Sequence, residues 1–230
     1  MIIITGTSRG IGKSLAALYL RQGKRVLGIS RTCSLKHPNY THVVLDLSDN
    51  NAATHLVFPD LSKEEEVIFI HNAGTIGEIK RFSDQTSVDL QDVLQVNLFS
   101  GAQLLHQLLK SVDLPQKLSV VFISSGAGKR PIPSWAAYCA SKAAVDLWLQ
   151  TISQEEQEKG RNIRCLAISP GVVDTDMQRT IRATNANDFS SHERFSELHA
   201  NNELRSPDLV AQAIAKKISE TDTSEIVVAI

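Results

Sequence analysis

The stretch Ile2-Ile3-Ile4-Thr5-Gly6-Thr7-Ser8-Arg9-Gly10-Ile11-Gly12 constrains this chain more than any other. A short apolar run ends in glycines spaced GxxxGxG and passes directly into a helical pattern. Glycine at such positions allows a tight turn and close approach of a ligand to the backbone, and the N-terminus of the helix that follows attracts a pyrophosphate. The spacing is a variant of the dinucleotide-binding fingerprint. Alone it is equally an ordinary strand-to-helix turn; its place in the first βαβ unit gives it weight. Gly6, Ser8, Arg9, Gly10, Ile11 and Gly12 are the contacts it predicts.

The rest of the chain repeats the same alternation. Candidate strands are Ile2–Thr5, Arg25–Ser30, His42–Asp46, Val67–His71, Leu118–Ser124, Arg164–Ser169 and Ile226–Ala229. Candidate helices are Gly10–Gln22, a short one near Asn50–Phe58, Asp89–Ser111, Ser134–Lys159 and Pro207–Glu220. Several of the strands are almost wholly apolar, as a parallel sheet covered on both faces requires. The pattern predicts an α/β fold: a Rossmann-type doubly wound parallel sheet of about seven strands in a three-layer α/β/α arrangement. The 230 residues suit one catalytic domain, residues 1–230. Only 175–206 lacks clean periodicity. It reads as a small helical insertion, either a substrate lid or a plain connection.

Composition narrows the setting. The formal net charge is -1, with Lys and Arg dispersed along the chain, so no basic block points to nucleic acid or an anionic membrane surface. No apolar run is long enough to span a bilayer, and the one after Met1 is too short for a signal peptide. The three cysteines, Cys33, Cys139 and Cys165, have no paired spacing, which predicts a reducing, cytoplasmic location. The sequon Asn39-Tyr40-Thr41 is then fortuitous. The seven histidines lack zinc-like partners, so no metal is expected.

The second strand bears on the cofactor. A site for NAD usually ends this strand with an acid that holds the ribose 2′-hydroxyl. Here Ser30 and Arg31 stand in that place. An arginine can hold a 2′-phosphate through forked, charge-assisted hydrogen bonds, and Arg9 can close from the glycine loop. The other reading is two solvated arginines; the missing acid favours NADP. Asp46 and Leu47, ending the third strand, are placed to meet the adenine edge. Asn72-Ala73-Gly74 ends the fourth, where small residues let the backbone lie along the cofactor and Asn72 can pin the strand end.

The chemistry falls on Ser125, Tyr138 and Lys142. Tyr138 and Lys142 lie four apart on a predicted helix and share a face. Reducing a carbonyl needs a proton donor where hydride arrives. A phenol titrates near pH 10, and a neighbouring ammonium lowers that value. Tyr138 can therefore donate in reduction and accept in oxidation; Lys142 can also hold the nicotinamide ribose, and Ser125 the substrate oxygen. YxxxK alone is weak, but only this tyrosine of the three has a lysine four residues later. Asn97 interrupts a long helical pattern. It is either a satisfied core polar group or a side chain that holds a water linking Lys142 to solvent. Pro170, Gly171, Val173 and Thr175, after the sixth strand, are expected at the carboxamide end of the cofactor. Trp135, three residues before Tyr138, and Met177 are expected to border the substrate, with Phe189, Phe195 and Leu198 as further apolar walls.

Taken together, Thr5 to Gly12, Asn72-Ala73-Gly74, Asn97, Ser125, Tyr138, Lys142 and Pro170-Gly171 resemble the classical short-chain dehydrogenase/reductase family in order and spacing, over essentially the whole chain. The resemblance implies a catalytic tetrad of Asn97, Ser125, Tyr138 and Lys142 and hydride transfer to a carbonyl carbon. The run Ser134 to Ala144, Pro170 to Gln178 and Arg194-Phe195-Ser196-Glu197-Leu198 look like the sepiapterin reductase and benzil reductase branch. That implies NADPH and compact, conjugated dicarbonyl substrates. A pterin-binding member carries an acid near its end, where this chain has an apolar residue, about Val228. The resemblance also implies a homodimer built on the helices around Asp89–Ser111 and Ser134–Lys159, with Leu147, Trp148 and Ile152 as apolar surface. The other readings are a 3-oxoacyl thioester reductase, a secondary-alcohol dehydrogenase, or a nucleotide-binding regulatory protein that kept the fold.

Overall fold

The computed structural model describes residues 1–111, 117–220 and 225–230. Seven parallel strands form one sheet: β1 (Ile2–Thr5), β2 (Val26–Ser30), β3 (Tyr40–Val44), β4 (Glu66–His71), β5 (Lys117–Ile123), β6 (Ile163–Ser169) and β7 (Val227–Ala229), in the order β3-β2-β1-β4-β5-β6-β7. The doubly wound three-layer architecture expected from the alternation is the one observed.

Strand alternation builds two cores. Ile2 and Ile4 of β1, Ile68 and Ile70 of β4, and Leu166 and Ile168 of β6 face one side, packed on Leu15 and Leu20 of α1 (Gly10–Arg21) and Val210 and Ile214 of α7 (Pro207–Ser219). Their neighbours Ile3, Phe69, Cys165 and Ala167 face the other side. There they meet Leu104 and Leu108 of α3 (Ser100–Ser111) and Val145 and Leu149 of α4 (Ala136–Glu158). A period of two makes each strand serve both layers. Phe69 and Phe122 are fully buried and meet edge to face, ring centroids 6.0 Å apart; cutting either to alanine is expected to cost about 3–5 kcal/mol.

Three sequence expectations change. The helix expected over Asp89–Ser111 starts earlier and is interrupted: α2 (Ser87–Leu94) runs into a π-helical turn, Gln95–Phe99, before α3. Its start is fixed by a capping box, in which Asp89 N–H donates to Thr86 Oγ1 at 3.2 Å and Thr86 N–H to Asp89 Oδ2 at 3.0 Å. The third strand ends at Val44, so Asp46 and Leu47 sit on the loop beyond it. On α4, Trp148 and Ile152 pack against the sheet, Trp148 edge to face with Phe122 at 5.5 Å, and of the three expected surface residues only Leu147 stays exposed.

The irregular segment 175–206 folds into α5 (Asp176–Ala183) and α6 (His192–Ala200). Its base is tied: Asp174 N–H donates to Arg205 O at 2.9 Å and Arg205 N–H to Val172 O at 3.1 Å. Its inner side adds a third apolar cluster of Trp135, Tyr138, Ile181, Phe189 and Phe195.

Candidate active site

A cleft of about 1120 Å³ opens at the carboxyl ends of the strands, where the order reverses between β1 and β4. This is where open α/β sheets bind ligands. Of the candidate site residues singled out from the sequence, all border it except Gly12, Asn97, Phe189 and Leu198.

The glycine loop is built by close approach. Gly6 and Gly10 have φ of +73° and +56°, a region that disfavours side chains. A Cβ on Gly12 would lie 2.3 Å from Gly6 O, so Gly12 serves packing rather than contact. Thr5, inconspicuous in the sequence, joins the two central strands. Its Oγ1 accepts from the N–H groups of Asn72 and Ala73, each at 3.0 Å. Asn72 Nδ2 donates to Thr5 O at 3.1 Å and Gly6 O at 3.2 Å, the pinning expected of it.

At the end of β2, Arg31 is exposed and borders the cleft. The Ser30 hydroxyl points inward instead, 3.2 Å from Thr7 Oγ1 and 3.0 Å from His42 Nε2. Asp46 accepts from Ser48 N–H and hydroxyl, which, with the charge of Arg31, hold its carboxyl below the usual range. Arg9 does not reach toward Arg31. It pairs with Asp176 at the start of α5 at 2.7 Å, and Arg179 shares that carboxylate.

At the other end, Tyr138 and Lys142 are both buried, one turn apart on α4. Burial pushes the Tyr138 phenol up to about 12, and a hydrogen bond with Ser125 works against that rise. Lys142 Nζ lies 5.6 Å from the Tyr138 ring centroid and donates to Ile123 O at 2.7 Å. Burial pulls the ammonium down to about 8, opposed by the charge of Asp146. Asp146 is a buried group the sequence reading passed over, although its place four residues after Lys142 on a helix was a signal. Ser124 Oγ donates to its Oδ1 at 2.5 Å, joining the end of β5 to α4.

Asn97 is fully buried in the π turn. Thr75 N–H donates to its Oδ1 at 2.8 Å, and its Nδ2 donates to Thr75 O at 2.9 Å and Ser141 Oγ at 3.0 Å. Both amide protons are thus taken by protein, so the side chain clamps the Thr75 loop and the helix of Tyr138. The π turn has its own support: Val96 O accepts from His71 Nε2 and from Ser100 Oγ, both at 3.1 Å.

The substrate end is apolar. Trp135 meets Tyr138 edge to face at 5.7 Å and stacks on Phe189 at 5.2 Å, and Met177, Ile181 and Phe195 also border the cleft. Leu198 packs behind them in the same cluster. Gln178, not anticipated, is buried on this wall with Oε1 unpartnered among the described residues. Val228 pairs with Ile168 between β7 and β6 and is buried in the core, away from the cleft wall. Among the described residues no cluster of potential metal ligands exists, and no helix is long and apolar enough to cross a membrane.

Comparison with known proteins agrees with this geometry. The family model described as short chain dehydrogenase matches residues 1–186. A benzil reductase ((S)-benzoin forming) of Bacillus subtilis (strain 168) is 36% identical over 219 residues, covering 92% of this chain and 90% of the relative. A sepiapterin reductase of Xenopus tropicalis is 31% identical over 211 residues, 81% and 78% of the two chains. Among solved structures, the KRED1-Pglu enzyme superposes with a TM-score of 0.87 at 27% identity, over 99% of each chain.

Proposed function

The chain belongs to the short chain dehydrogenase family, oxidoreductases that act on alcohol and carbonyl groups with a nicotinamide nucleotide, and from that premise we propose that it reduces one carbonyl of a benzil-like α-dicarbonyl to a secondary alcohol with NADPH. The observation that carries the reading is the pairing of a buried Tyr138 and Lys142 with an apolar wall of Trp135, Met177 and Phe195 across the same cleft.

The residues fit such a cofactor. The loop holds its glycines where a Cβ would collide, and α1 presents free N–H groups behind it. Gly6, Ser8, Gly10 and Ile11 would cradle the pyrophosphate. Arg31 would hold the 2′-phosphate, with Arg9 joining it on release from Asp176. Asp46 and Leu47 would border the adenine, Ala73 and Gly74 the adjoining ribose, and Pro170, Gly171, Val173 and Thr175 the carboxamide. When bound, the reduced nicotinamide supplies the hydride.

Ser125 orients the substrate oxygen, and Tyr138 delivers a proton to it as the carbon is reduced. The Lys142 cation stabilises the phenolate left behind. Asn97, through Thr75 and Ser141, keeps the helix of Tyr138 in register with the cleft loop. Closure of 175–206 over the substrate would exclude water. A benzil-like diketone asks only for apolar walls and a donor at the reacting oxygen. A pterin brings ring nitrogens and an amino group, each costing about 1–3 kcal/mol if buried unpaired, and β7 offers no acid at Val228. A cytoplasmic location suits the unpaired cysteines, and the exposed Phe99 and Leu147 on the helices beside the site suit a homodimer.

The test compares kcat/KM for benzil and sepiapterin with NADPH and with NADH. The expected order is benzil above sepiapterin and NADPH above NADH. Preference for sepiapterin overturns the substrate class, and preference for NADH overturns the cofactor.

A further inference from the structure

β2 carries a glycine in its middle, Gly28, between the buried Leu27 and Ile29. Glycine weakens a strand interior, and there it often marks the close approach of another group. The group here is a hydroxyl. A Cβ on Gly28 would collide with Tyr40 Oη and lie 2.7 Å from Thr7 Oγ1. Tyr40 belongs to β3, the edge strand, and its hydroxyl reaches past β2 to the glycine loop, 3.0 Å from Thr7 Oγ1.

Four side chains thus form a chain of hydrogen bonds with a fixed direction. The Ser30 hydroxyl donates its one proton to Thr32 O at 3.0 Å. Its other two neighbours must then donate to it: His42 Nε2–H at 3.0 Å and the Thr7 hydroxyl at 3.2 Å. Thr7 in turn accepts from Tyr40. With one bond donated and two accepted, Ser30 has nothing left for a phosphate, although it borders the cleft. What it holds is the backbone on both sides of Arg31: its side chain clasps Thr32 O, and its own O accepts from Leu45 N–H at 3.3 Å. The Ser34 hydroxyl donates to Thr7 O at 3.2 Å and closes the seam between this turn and the glycine loop.

Resting on the NADPH reading above, we infer that Tyr40 and His42 are positioning residues for the 2′-phosphate: acting through Thr7 and Ser30, they hold the Arg31 turn against the glycine loop and so sharpen the preference for NADPH over NADH. Neither borders the cleft, so their effect passes through the residues they hold. Arg31 is exposed and its side chain is long; fixing its backbone reduces the freedom lost when it grips a phosphate. NADH has no phosphate there and gains little from the same restraint.

The experiment measures Kd for NADPH and for NADH by fluorescence titration in wild type, Tyr40→Phe, His42→Leu and His42→Gln. Tyr40→Phe keeps the ring and removes the first donor of the chain. His42→Leu removes the N–H that reaches Ser30, and His42→Gln restores an N–H donor. Tyr40→Phe and His42→Leu should each weaken NADPH about three- to tenfold, the scale of one hydrogen bond, and NADH less than about twofold. His42→Gln should stay close to wild type. NADH binding reports that the fold is intact, so an equal loss of both nucleotides overturns the inference and leaves the pair structural; Leu and Gln behaving alike at position 42 overturns the part of His42. In an Arg31→Ala background, Tyr40→Phe should change the ratio of the two Kd values less than about twofold, because the group it positions is gone. A further change as large as in wild type overturns the route through Arg31. A wild-type enzyme that prefers NADH removes the NADPH reading and this inference with it, whereas one that prefers NADPH by a margin these variants leave unchanged removes this inference alone.

Discussion

Thr5 Oγ1 lies 3.1 Å from His71 Nδ1, both fully enclosed between the glycine loop and the π turn. Since Val96 O can only accept, Nε2 of His71 carries the proton, and Nδ1 accepts from the Thr5 hydroxyl. One neutral imidazole thus connects the strand that begins the nucleotide loop to the turn that holds Asn97.

That imidazole makes the fold sensitive to acid. Burial and the charge of Lys142 depress its pKa to about 3, from an ordinary 6.5. Between those values the unfolded chain binds a proton that the folded chain refuses, so stability present above pH 6.5 is lost as pH falls toward 3. The slope approaches about 1.4 kcal/mol per pH unit. Urea unfolding of wild type and His71→Asn at pH 7, 6 and 5 checks this. The variant should start less stable and show a shallower fall; parallel slopes would count against the assignment.

Removal of the proton donor should separate chemistry from binding. Tyr138→Phe keeps the ring and its contact with Trp135 and deletes the hydroxyl. Turnover should fall by at least ~100-fold, the usual scale of general acid catalysis, with NADPH affinity measured by fluorescence titration changed by less than about threefold. Lys142→Ala should damage both quantities. Near-normal turnover in Tyr138→Phe would sink the assignment.

The pH profile should report Lys142. Its folded-state pKa is lowered from 10.5 to about 8, so the cation that supports proton donation is present below about pH 8 and lost above it. The kcat/KM for reduction should be level at neutral pH and decline above about 8. Asp146 is the carboxylate that raises the Lys142 value, and Lys129 faces Asp146 from the turn after β5. His71 stays neutral across this range. Asp146→Asn should therefore move the decline to lower pH. An unmoved limb would leave Asp146 with only its structural bond to Ser124.

Much of this was legible in the sequence because it is local. The wholly apolar runs at Ile2–Ile4 and Val67–Ile70 announce buried parallel strands, and the glycine spacing places the loop. Tyr138 and Lys142 share a helical face by arithmetic alone. What escaped is set by partners distant in the chain. The pattern across 87–111 is continuously helical, and only the demands of His71 and Thr75 reveal why a π turn interrupts it. Trp148 and Ile152 look like surplus apolar surface until the fold brings the sheet against them, with Trp148 edge to face on Phe122. Nothing near Arg9 in the sequence discloses its ion pair with Asp176.

That ion pair sets the last prediction. Arg31, after the end of β2, has only Asp46 as a charged neighbour among the described interactions, while Arg9 is held by a carboxylate on α5. A 2′-phosphate must then bind chiefly through Arg31, drawing Arg9 away from Asp176 as it arrives. Arg31→Asp should weaken NADPH by about tenfold to a hundredfold, the range of one or two charge-assisted hydrogen bonds, and improve NADH relative to it, since a carboxylate repels phosphate and accepts from ribose hydroxyls. Asp176→Asn removes the competitor for Arg9 and should tighten NADPH modestly while leaving NADH nearly unchanged. Both are read as Kd by fluorescence titration at fixed ionic strength, because salt screens these exposed charges. If Arg31→Asp leaves the ratio of NADPH to NADH affinity where it was, Arg31 is a solvated surface residue and the 2′-phosphate is recognised elsewhere on the cleft.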